Sequence, residues 1–457
     1  MAFLRSEWSS SYGMIGSGEK MHGSRLRYFL KLTTLSIFAI LAFGTFTMAD
    51  DKLQSDNPAL IKVSIAEPSA KAIAFYEGGQ WVWAGSQILS VVIPLIIFIT
   101  PMGQKIEKLA WDYGRGRVRA VILFVIMVMI LSYLIRLPWS YRAGFVRLKD
   151  YGLSNQTFAG WFGDSIKSLA VMIFIQSLVA GIVWGILIDK MPKTWWFWTA
   201  AGTTPFLVAG AFLTPLVIDP LFNTFGPMKN KVLEQEILEL SSRTGVGGSR
   251  VFEVDKSRQT KAVNAYVTGL FGSKRIVLWD TLLQALPPRE VKAVVAHELG
   301  HYVLGHVRWG VLLGGISSFG GLFILDRLIR WGIPRFGPYF HVNDSKSLTA
   351  MMMVVLLITV GELIFSPVSN LISRTMEHEA DRFAIEMTHD PAAVAQAFST
   401  LQKENLSVPF PGWFYRIWRA THPSIGERIE FANSYRPWIS GDAEVYAGKY
   451  NSSQMSK

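Results

Sequence analysis

Seven long runs of apolar residues dominate the sequence. A helix needs roughly 20 apolar residues to cross the hydrocarbon core of a bilayer, so each run predicts a membrane span. A single run could instead form a buried core helix, but seven together predict a multi-pass integral membrane protein. The runs cover residues 30–49, 81–100, 119–137, 168–189, 195–218, 309–330 and 349–371.

The first run allows two interpretations. It follows a basic stretch and ends in Thr47-Met48-Ala49, directly before an acidic pair. Small residues at the −3 and −1 positions are typical of a signal-peptide cleavage site. The apolar stretch is long for a signal peptide, so we favour a retained span.

Two polar segments, residues 219–308 and 372–457, flank the hairpin of the last two spans. They therefore lie on one side of the membrane and can fold together. Asp280 is expected to cap a short helix, and Pro287-Pro288 to precede a longer one from about Arg289. Short apolar stretches in the first segment predict three strands, at residues 250–254, 263–268 and 275–279.

The composition supports this picture and narrows the chemistry. Hydrophobic residues make up 50% of the 457 positions and charged residues only 17%, whereas soluble proteins carry roughly 25% charged residues. The absence of Cys excludes disulfides, thiolate zinc sites, iron–sulfur clusters and a cysteine nucleophile. The net charge of +11 is spread over loops between apolar runs, so no nucleic-acid partner is expected.

The chemistry is indicated by a His-Glu-x-x-His pattern, formed by His297, Glu298 and His301. On a helix the two histidines lie one turn apart on the same face and can bind one metal ion. Glu298 is offset by about 100° around the axis, where it can take a proton from a reacting water. We therefore predict one Zn²⁺ per chain, with Glu298 as general base. His306 would lie about 140° from His301 on a continuous helix and is interpreted as structural.

Catalytic zinc usually has three protein ligands and an open position, so a third ligand is expected on another element. A charged segment after the last span supplies candidates. Arg374, Glu377 and Asp381 have the spacing of one helical face. His378 and Glu379 point elsewhere. Glu377 is therefore the predicted third ligand, and Asp381 can brace a ligating histidine or the reacting water.

Together these motifs resemble the type I CAAX prenyl endopeptidases, a family of integral-membrane zinc metallopeptidases. The likeness covers about residues 80–435 and is specific for the family, less so for a substrate. It implies a mainly α fold with about seven transmembrane helices and a zincin-like α+β catalytic domain that carries a small sheet. The stretches that carry the resemblance are Tyr141-Arg142, 151–157, 263–269, 274–282, 297–306, 373–381 and 421–428.

The resemblance also suggests how the chain is divided. An N-terminal segment (1–80) would precede a membrane domain similar to the family's N-terminal region (81–218). A metallopeptidase domain that includes the last membrane hairpin (219–440) and a polar tail (441–457) would follow. Since the family's helices enclose a water-filled chamber, Glu362 is expected to face that chamber. Asp326 and Arg327 are interpreted as charges that reach out of the bilayer at a span end.

Several site residues are implied by the resemblance alone. Asp381 matches an acidic proton donor or a residue that supports the metal ligands. His422 and Arg428 match groups near the scissile carbonyl, where a cationic donor would stabilise the oxyanion. A further segment, Asn264-Ala265-Tyr266, matches an edge strand beside the metal, where an extended substrate pairs through its backbone. Without the resemblance, the same segment would be interpreted as a buried strand of a small sheet.

The predicted function is a membrane-embedded zinc metalloendopeptidase that resembles C-terminal processing proteases. Its partners would be membrane lipid and a peptide or protein substrate, with or without a lipid group. One alternative is a quality-control metallopeptidase without a prenyl requirement. Another is a helical transporter or receptor with a degenerate metal site, against which the complete set of Glu298 and three ligands argues. The oligomeric state is not predicted.

The side of the membrane on which the catalytic domain lies is left open. The loops on one side carry 12 Lys and Arg residues, against 7 in the short loops opposite. The positive-inside rule then mildly favours a catalytic domain outside the cytoplasm. The eukaryotic members of the resembled family place it on the cytoplasmic side.

Overall fold

The computed structural model describes residues 61–245, 250–268, 275–340, 342 and 344–450. The first predicted span, residues 30–49, lies outside this part of the chain. Within the described residues, six helices or helical runs are long and apolar enough to cross a membrane. The N-terminal half contains α1 (Ala70–Ile99), α2 (Pro101–Gly114), α3 (Arg117–Ser140), α4 (Arg147–Asp150), α5 (Phe158–Ile182), α6 (Ile188–Lys190) and α7 (Trp195–Leu213).

Short π-helical turns extend three of these helices, so that α3 continues into α4 and α5 into α6. The turns are Tyr141–Val146, Val183–Leu187 and Thr214–Ile218. The C-terminal half contains α8 (Lys231–Arg243), α9 (Asp280–Ala285), α10 (Pro288–Val303), α11 (His306–Phe336), α12 (Ala350–Thr388), α13 (Pro391–Glu404), α14 (Trp413–Trp418), α15 (Ile425–Ser434) and α16 (Pro437–Ser440). The six candidate spans are therefore α1, α3–α4, α5–α6, α7, α11 and α12, and they coincide with the last six predicted spans.

Side-chain oxygens accept hydrogen bonds from the free backbone amides at the N-termini of two membrane helices, α1 and α12. The Ser69 hydroxyl accepts a hydrogen bond from the Ala72 amide at 3.1 Å and caps α1. The start of α12 is capped by a carboxylate from α2. Glu107 accepts hydrogen bonds from the amides of Leu348 and Thr349, both at 3.0 Å. Since a negative charge is favourable at a helix N-terminus, Glu107 fixes where α12 begins.

The prediction that Asp326 reaches out of the bilayer is wrong. Asp326 is only 1% exposed. It accepts hydrogen bonds from Trp195 Nε1 and Arg330 Nε, both at 2.7 Å. Because Trp195 lies on α7, the charge is buried at a contact between two membrane helices, as expected for intramembrane carboxylates that have partners.

A small sheet lies in the C-terminal half. Its strands are β1 (Phe225–Pro227), β2 (Arg250–Val254), β3 (Ala265–Thr268) and β4 (Arg275–Trp279), in the spatial order β1-β2-β4-β3. The β2–β4 pair is parallel and the other two pairs are antiparallel. Two of the predicted strands are confirmed, whereas the third begins at Ala265 rather than residue 263. Asp280 accepts a hydrogen bond from the Ser257 amide at 2.8 Å instead of capping α9.

Two groups of buried apolar side chains hold these elements together. One lies among the membrane helices and includes Phe124 and Ile329. The other joins the sheet to α8–α10, α12, α13 and α15, and includes Ile276 and Leu299. Phe383 belongs to this second core and comes from the C-terminal part of α12. The longest helix of the described chain therefore contributes both to a membrane span and to the core of the catalytic half.

Candidate metal centre and active site

The close packing of α10 against α12 brings the predicted metal ligands together. At Gly300, between the two histidines of the motif, an added Cβ would lie 3.1 Å from Phe383 and 3.3 Å from the Ala380 Cα. A larger residue would push the helices apart. Because both histidines lie on α10 and Glu377 lies on α12, the small residue at position 300 permits the approach that unites them.

Three potential ligand atoms converge at this contact. His297 Nε2 lies 3.1 Å from His301 Nε2 and 3.3 Å from Glu377 Oε2, and His301 Nε2 lies 3.4 Å from Glu377 Oε1. Donors at the zinc–ligand distance of roughly 2.0–2.1 Å around a tetrahedral ion would be about 3.3 Å apart. Glu377 Oε2 is also buried without a hydrogen-bond partner within the described part of the chain. These residues therefore fit a zinc ion, while the assignment of each ligand stays a prediction.

His306 contacts His301, a contact that the sequence interpretation did not anticipate. The reasoning assumed one continuous helix, but α10 ends at Val303 and Gly305 adopts a left-handed conformation with φ of 73°. This turn brings His306 Nδ1 to 2.9 Å from His301 Nδ1. A hydrogen bond at Nδ1 fixes the orientation of a histidine and leaves Nε2 for a metal. The glycine was the signal that could have shown the helix break.

Asp381 lies one turn beyond Glu377 and joins two groups of the site. Its Oδ1 is 2.8 Å from His297 Nδ1. Arg428 on α15 donates to both of its oxygens, from Nε at 2.8 Å and from Nη2 at 2.6 Å. The aspartate is 1% exposed. The geometry therefore supports a positioning role for Asp381 rather than proton donation. It also shows that the carboxylate partner of Arg428 is Asp381.

The protonation of His297 is controlled by these carboxylates. Burial would lower the pKa of His297, but its contacts with Asp381 and Glu377 raise it to about 9. Since a metal ligand must be deprotonated, a metal ion bound by His297 would displace a proton, and its affinity would rise with pH.

Glu298 faces the same small cavity as His297. It forms no hydrogen bond with another described residue, in contrast to Asp381. Burial raises the pKa of Glu298, while the neighbouring His297 and His301 oppose this effect. A raised pKa and an uncommitted carboxylate suit a general base that works near neutral pH.

His422 is a further histidine in contact with Glu377. Its Nε2 is 3.3 Å from Glu377 Oε1, and its Nδ1 is 2.8 Å from the Thr421 hydroxyl. It lines the small cavity together with Glu298 and Arg428. Burial lowers the pKa of His422. His422 thus lies within hydrogen-bonding distance of Glu377 and beside Glu298 in the small cavity.

The segment matched to a substrate-binding strand forms the edge of the sheet beside α10. The Trp279 amide donates to the Asn264 carbonyl at 3.2 Å. In an antiparallel pair, successive residues alternate between those whose backbone bonds the partner strand and those whose backbone faces away from it. Since Asn264 bonds β4, Tyr266 two residues later also directs its backbone toward β4. The backbones of Ala265 and Val267 then face the open edge, although the Ala265 amide is bonded to Asn264 Oδ1 at 2.8 Å. Val267, which lies in the predicted strand but not among the three residues predicted to bind substrate, therefore offers the outward-facing pair of groups.

The remaining charged residues of the segment on α12 point away from the metal centre. Glu379 accepts from Arg382 at 2.7 Å and also from the Tyr446 hydroxyl. The ring of His378 packs against Phe431. Arg374 donates to the Ala420 carbonyl at 2.7 Å and so holds the loop before His422. The spacing thus correctly separates His378 and Glu379 from Glu377 and Asp381, whereas Arg374, which was predicted on the same face, contacts this loop instead.

Two larger cavities adjoin the centre. We call them the His301 cavity, of about 1310 Å³, and the His422 cavity, of about 750 Å³. Residues 266–268 of β3 line the first, and residues 263–264 line the second. An extended peptide that follows β3 past the metal centre would thus reach from one cavity into the other.

Comparison with known proteins agrees with this site. Residues 227–436 match Peptidase family M48, and residues 72–224 match the family described as CAAX prenyl protease N-terminal, five membrane helices. The uncharacterized metalloprotease YhfN of Bacillus subtilis is 35% identical over 87% of this chain and 94% of its own length. CAAX prenyl protease 1 of Saccharomyces cerevisiae is 29% identical over 67% of this chain and 70% of its own length.

The fold is also similar to that of a solved structure. The crystal structure of S. mikatae Ste24p matches with a TM-score of 0.69 and 27% sequence identity. The match covers 79% of this chain and 87% of that chain. It therefore includes both the membrane helices and the half that carries the metal-binding motif.

Proposed function

This chain belongs to the CAAX prenyl protease family of M48 metallopeptidases, and we propose that it is a zinc endopeptidase that uses Glu298 as its general base. It is a multi-pass membrane metalloprotease that acts on peptide or protein substrates. The observation that carries the zinc assignment is the convergence of His297, His301 and Glu377, whose ligand atoms lie within 4.8 Å of one another.

Zinc bound by these three residues would polarise the scissile carbonyl and make a bound water more acidic. Glu298 takes the proton of the attacking water and passes it to the leaving amine. Burial raises the pKa of Glu298 and so makes its carboxylate a stronger base. His422 donates a hydrogen bond to the carbonyl oxygen as negative charge develops there.

The other residues of the site position these groups. Asp381 holds the Nδ1 side of His297 and thereby directs Nε2 toward the metal. Arg428 neutralises Asp381 and is itself positioned by it. The open edge of β3 aligns the substrate backbone, with Val267 as its pairing residue and Asn264, Ala265 and Tyr266 around it.

We extend C-terminal processing to this chain because its curated eukaryotic relatives are named CAAX prenyl proteases. A quality-control protease without a prenyl requirement would share the same zinc chemistry. A prenylated Cys-a-a-X peptide and its unprenylated counterpart distinguish the two functions. Strong preference for the prenylated peptide supports processing of prenyl proteins, and equal cleavage supports the alternative.

The chemistry is tested with the Glu298→Gln variant, purified in detergent with its metal content measured. Glutamine keeps the size of the side chain but cannot accept the proton. We expect turnover to fall by about 10²- to 10⁴-fold and zinc content to remain that of the wild type. Wild-type turnover would refute the general-base assignment, and loss of zinc would make Glu298 a ligand instead.

A further inference from the structure

The His422 cavity contains two arginines that the peptidase chemistry does not use. Arg147 comes from the helical run α3–α4, and Arg419 follows α14. Both line the cavity that leads to His422 and Arg428. Two like charges held together in one cavity indicate a site for an anion.

Neither arginine has a carboxylate partner among the described residues. Arg147 donates to the Phe75 carbonyl, and its guanidinium lies 3.9 Å from the centre of the Phe75 ring. Arg419 donates to Gln80 Oε1 and lies 4.8 Å from the centre of the Tyr415 ring. These neutral contacts fix each side chain but leave its charge uncompensated. A guanidinium has five N–H donors, so donors remain for a ligand.

The charge of the two cavities differs. The His301 cavity is lined by Asp219 as well as by Lys256 and Arg308. None of the described residues that line the His422 cavity is acidic. Arg428 in its wall is already neutralised by Asp381. The net positive charge of the His422 cavity therefore comes from Arg147 and Arg419.

The direction of the edge strand links this charge to the substrate. Residues 263–264, directly before β3, border the His422 cavity, and residues 266–268 of the strand border the His301 cavity. A peptide added antiparallel to β3, the commoner pairing in sheets, would run toward the His422 cavity with its C-terminus. The His422 cavity borders the small cavity at Glu298, because Asn264, His422 and Arg428 line both.

We propose that Arg147 and Arg419 bind the C-terminal carboxylate of the substrate, and so select peptides that are cut close to their C-terminus. The proposal rests on the proposed function and specifies its substrate as a free C-terminal acid. A carboxylate fits the planar fork of a guanidinium and forms charge-assisted hydrogen bonds with it. The aromatic walls around the arginines strengthen these bonds by excluding water.

The test compares one Cys-a-a-X peptide with a free C-terminal acid and the same peptide as a C-terminal amide. The zinc-loaded full chain is used in phosphatidylcholine nanodiscs. We expect the wild type to prefer the acid by about tenfold in kcat/KM, as for a hydrogen bond to a charged group. The Arg147→Gln/Arg419→Gln double variant should cleave both peptides at similar rates, because glutamine cannot form charge-assisted bonds with the C-terminal acid. Lysine at either position should retain part of the preference.

Arg142→Gln is the matched control. Arg142 lies five residues before Arg147 in the same helical run, but it is exposed and pairs with Asp150 at 3.1 Å. This variant should keep the preference of the wild type. Equal cleavage of acid and amide by the wild type would overturn the proposal. An unchanged preference in the folded double variant would do so as well.

Binding separates this inference from the peptidase assignment. With the Glu298→Gln form, the acid should bind about tenfold more tightly than the amide. If the wild type cleaves neither peptide but this difference persists, the proposed function fails and the carboxylate site stands. A lipid phosphate is the other possible anion. If the double variant loses bound phosphatidylglycerol in native mass spectrometry but keeps its acid preference, the arginines bind lipid and the proposal is refuted.

Discussion

The Asp381→Asn variant tests how the metal centre is held. Asparagine has the same shape but no negative charge. Asp381 is buried and is bonded by two nitrogens of Arg428 and by His297. Breaking a buried ion pair by removing one partner costs about 3–5 kcal/mol. Because asparagine can still accept one hydrogen bond from Arg428, we expect a loss of stability at the lower end of this range, about 3 kcal/mol.

The same change should weaken metal binding. Residues that orient a metal-binding histidine typically contribute about 10- to 100-fold to affinity. We therefore expect zinc affinity to fall by that factor, measured by competition with a chelator, and the thermal unfolding midpoint in detergent to fall by several degrees. Glu379→Gln is the control, since Glu379 lies on the same helix but bonds Arg382 and Tyr446. It should alter stability without altering zinc affinity.

The Asp381→Asn/Arg428→Gln double variant separates the two effects. Removing both charges leaves no unpaired ion, so part of the lost stability should return. Zinc affinity should stay low because His297 still lacks its carboxylate partner. Wild-type zinc affinity in the single variant would refute the positioning role of Asp381. Equal destabilisation in the single and double variants would refute the coupling with Arg428.

Three further variants test other parts of the site. Glu377→Ala should lose zinc and activity together, and normal metal content would remove it from the ligand set. His306→Ala should weaken zinc binding by about tenfold through His301, whereas unchanged affinity would return His306 to a purely structural role. Val267→Pro should fold, since an edge position tolerates proline, and keep zinc but cleave all peptides poorly. Val267→Ala preserves the backbone and should cleave them normally, and full activity of the proline variant would exclude pairing at Val267.

The sequence was sufficient to predict the elements that depend on local spacing. His297 and His301 had to share a helical face, and Glu377 had to lie on the face that excludes His378 and Glu379. The positions of six membrane spans followed from apolar length alone. These predictions succeed because helix geometry relates neighbouring residues without reference to the rest of the fold.

Contacts between distant elements could not be predicted in the same way. Nothing in the spacing around Asp326 indicates that Trp195 on another helix would bond it. The pairing of Arg428 with Asp381 depends on how α15 packs on α12. Which backbone groups of β3 face outward depends on its register with β4, so Val267 could not be distinguished from Tyr266.

The continuity of α12 ties proteolysis to the lipid bilayer. This helix has 39 residues, which corresponds to about 58 Å at 1.5 Å per residue, almost twice the hydrocarbon thickness of a bilayer. One continuous helix, which contains Pro367, thus supplies both a candidate membrane span and Glu377, the proposed third ligand. A cut within the helix would release a catalytic half whose metal site had lost its fixed support. We therefore expect that cleavage within this helix would not release an active soluble fragment.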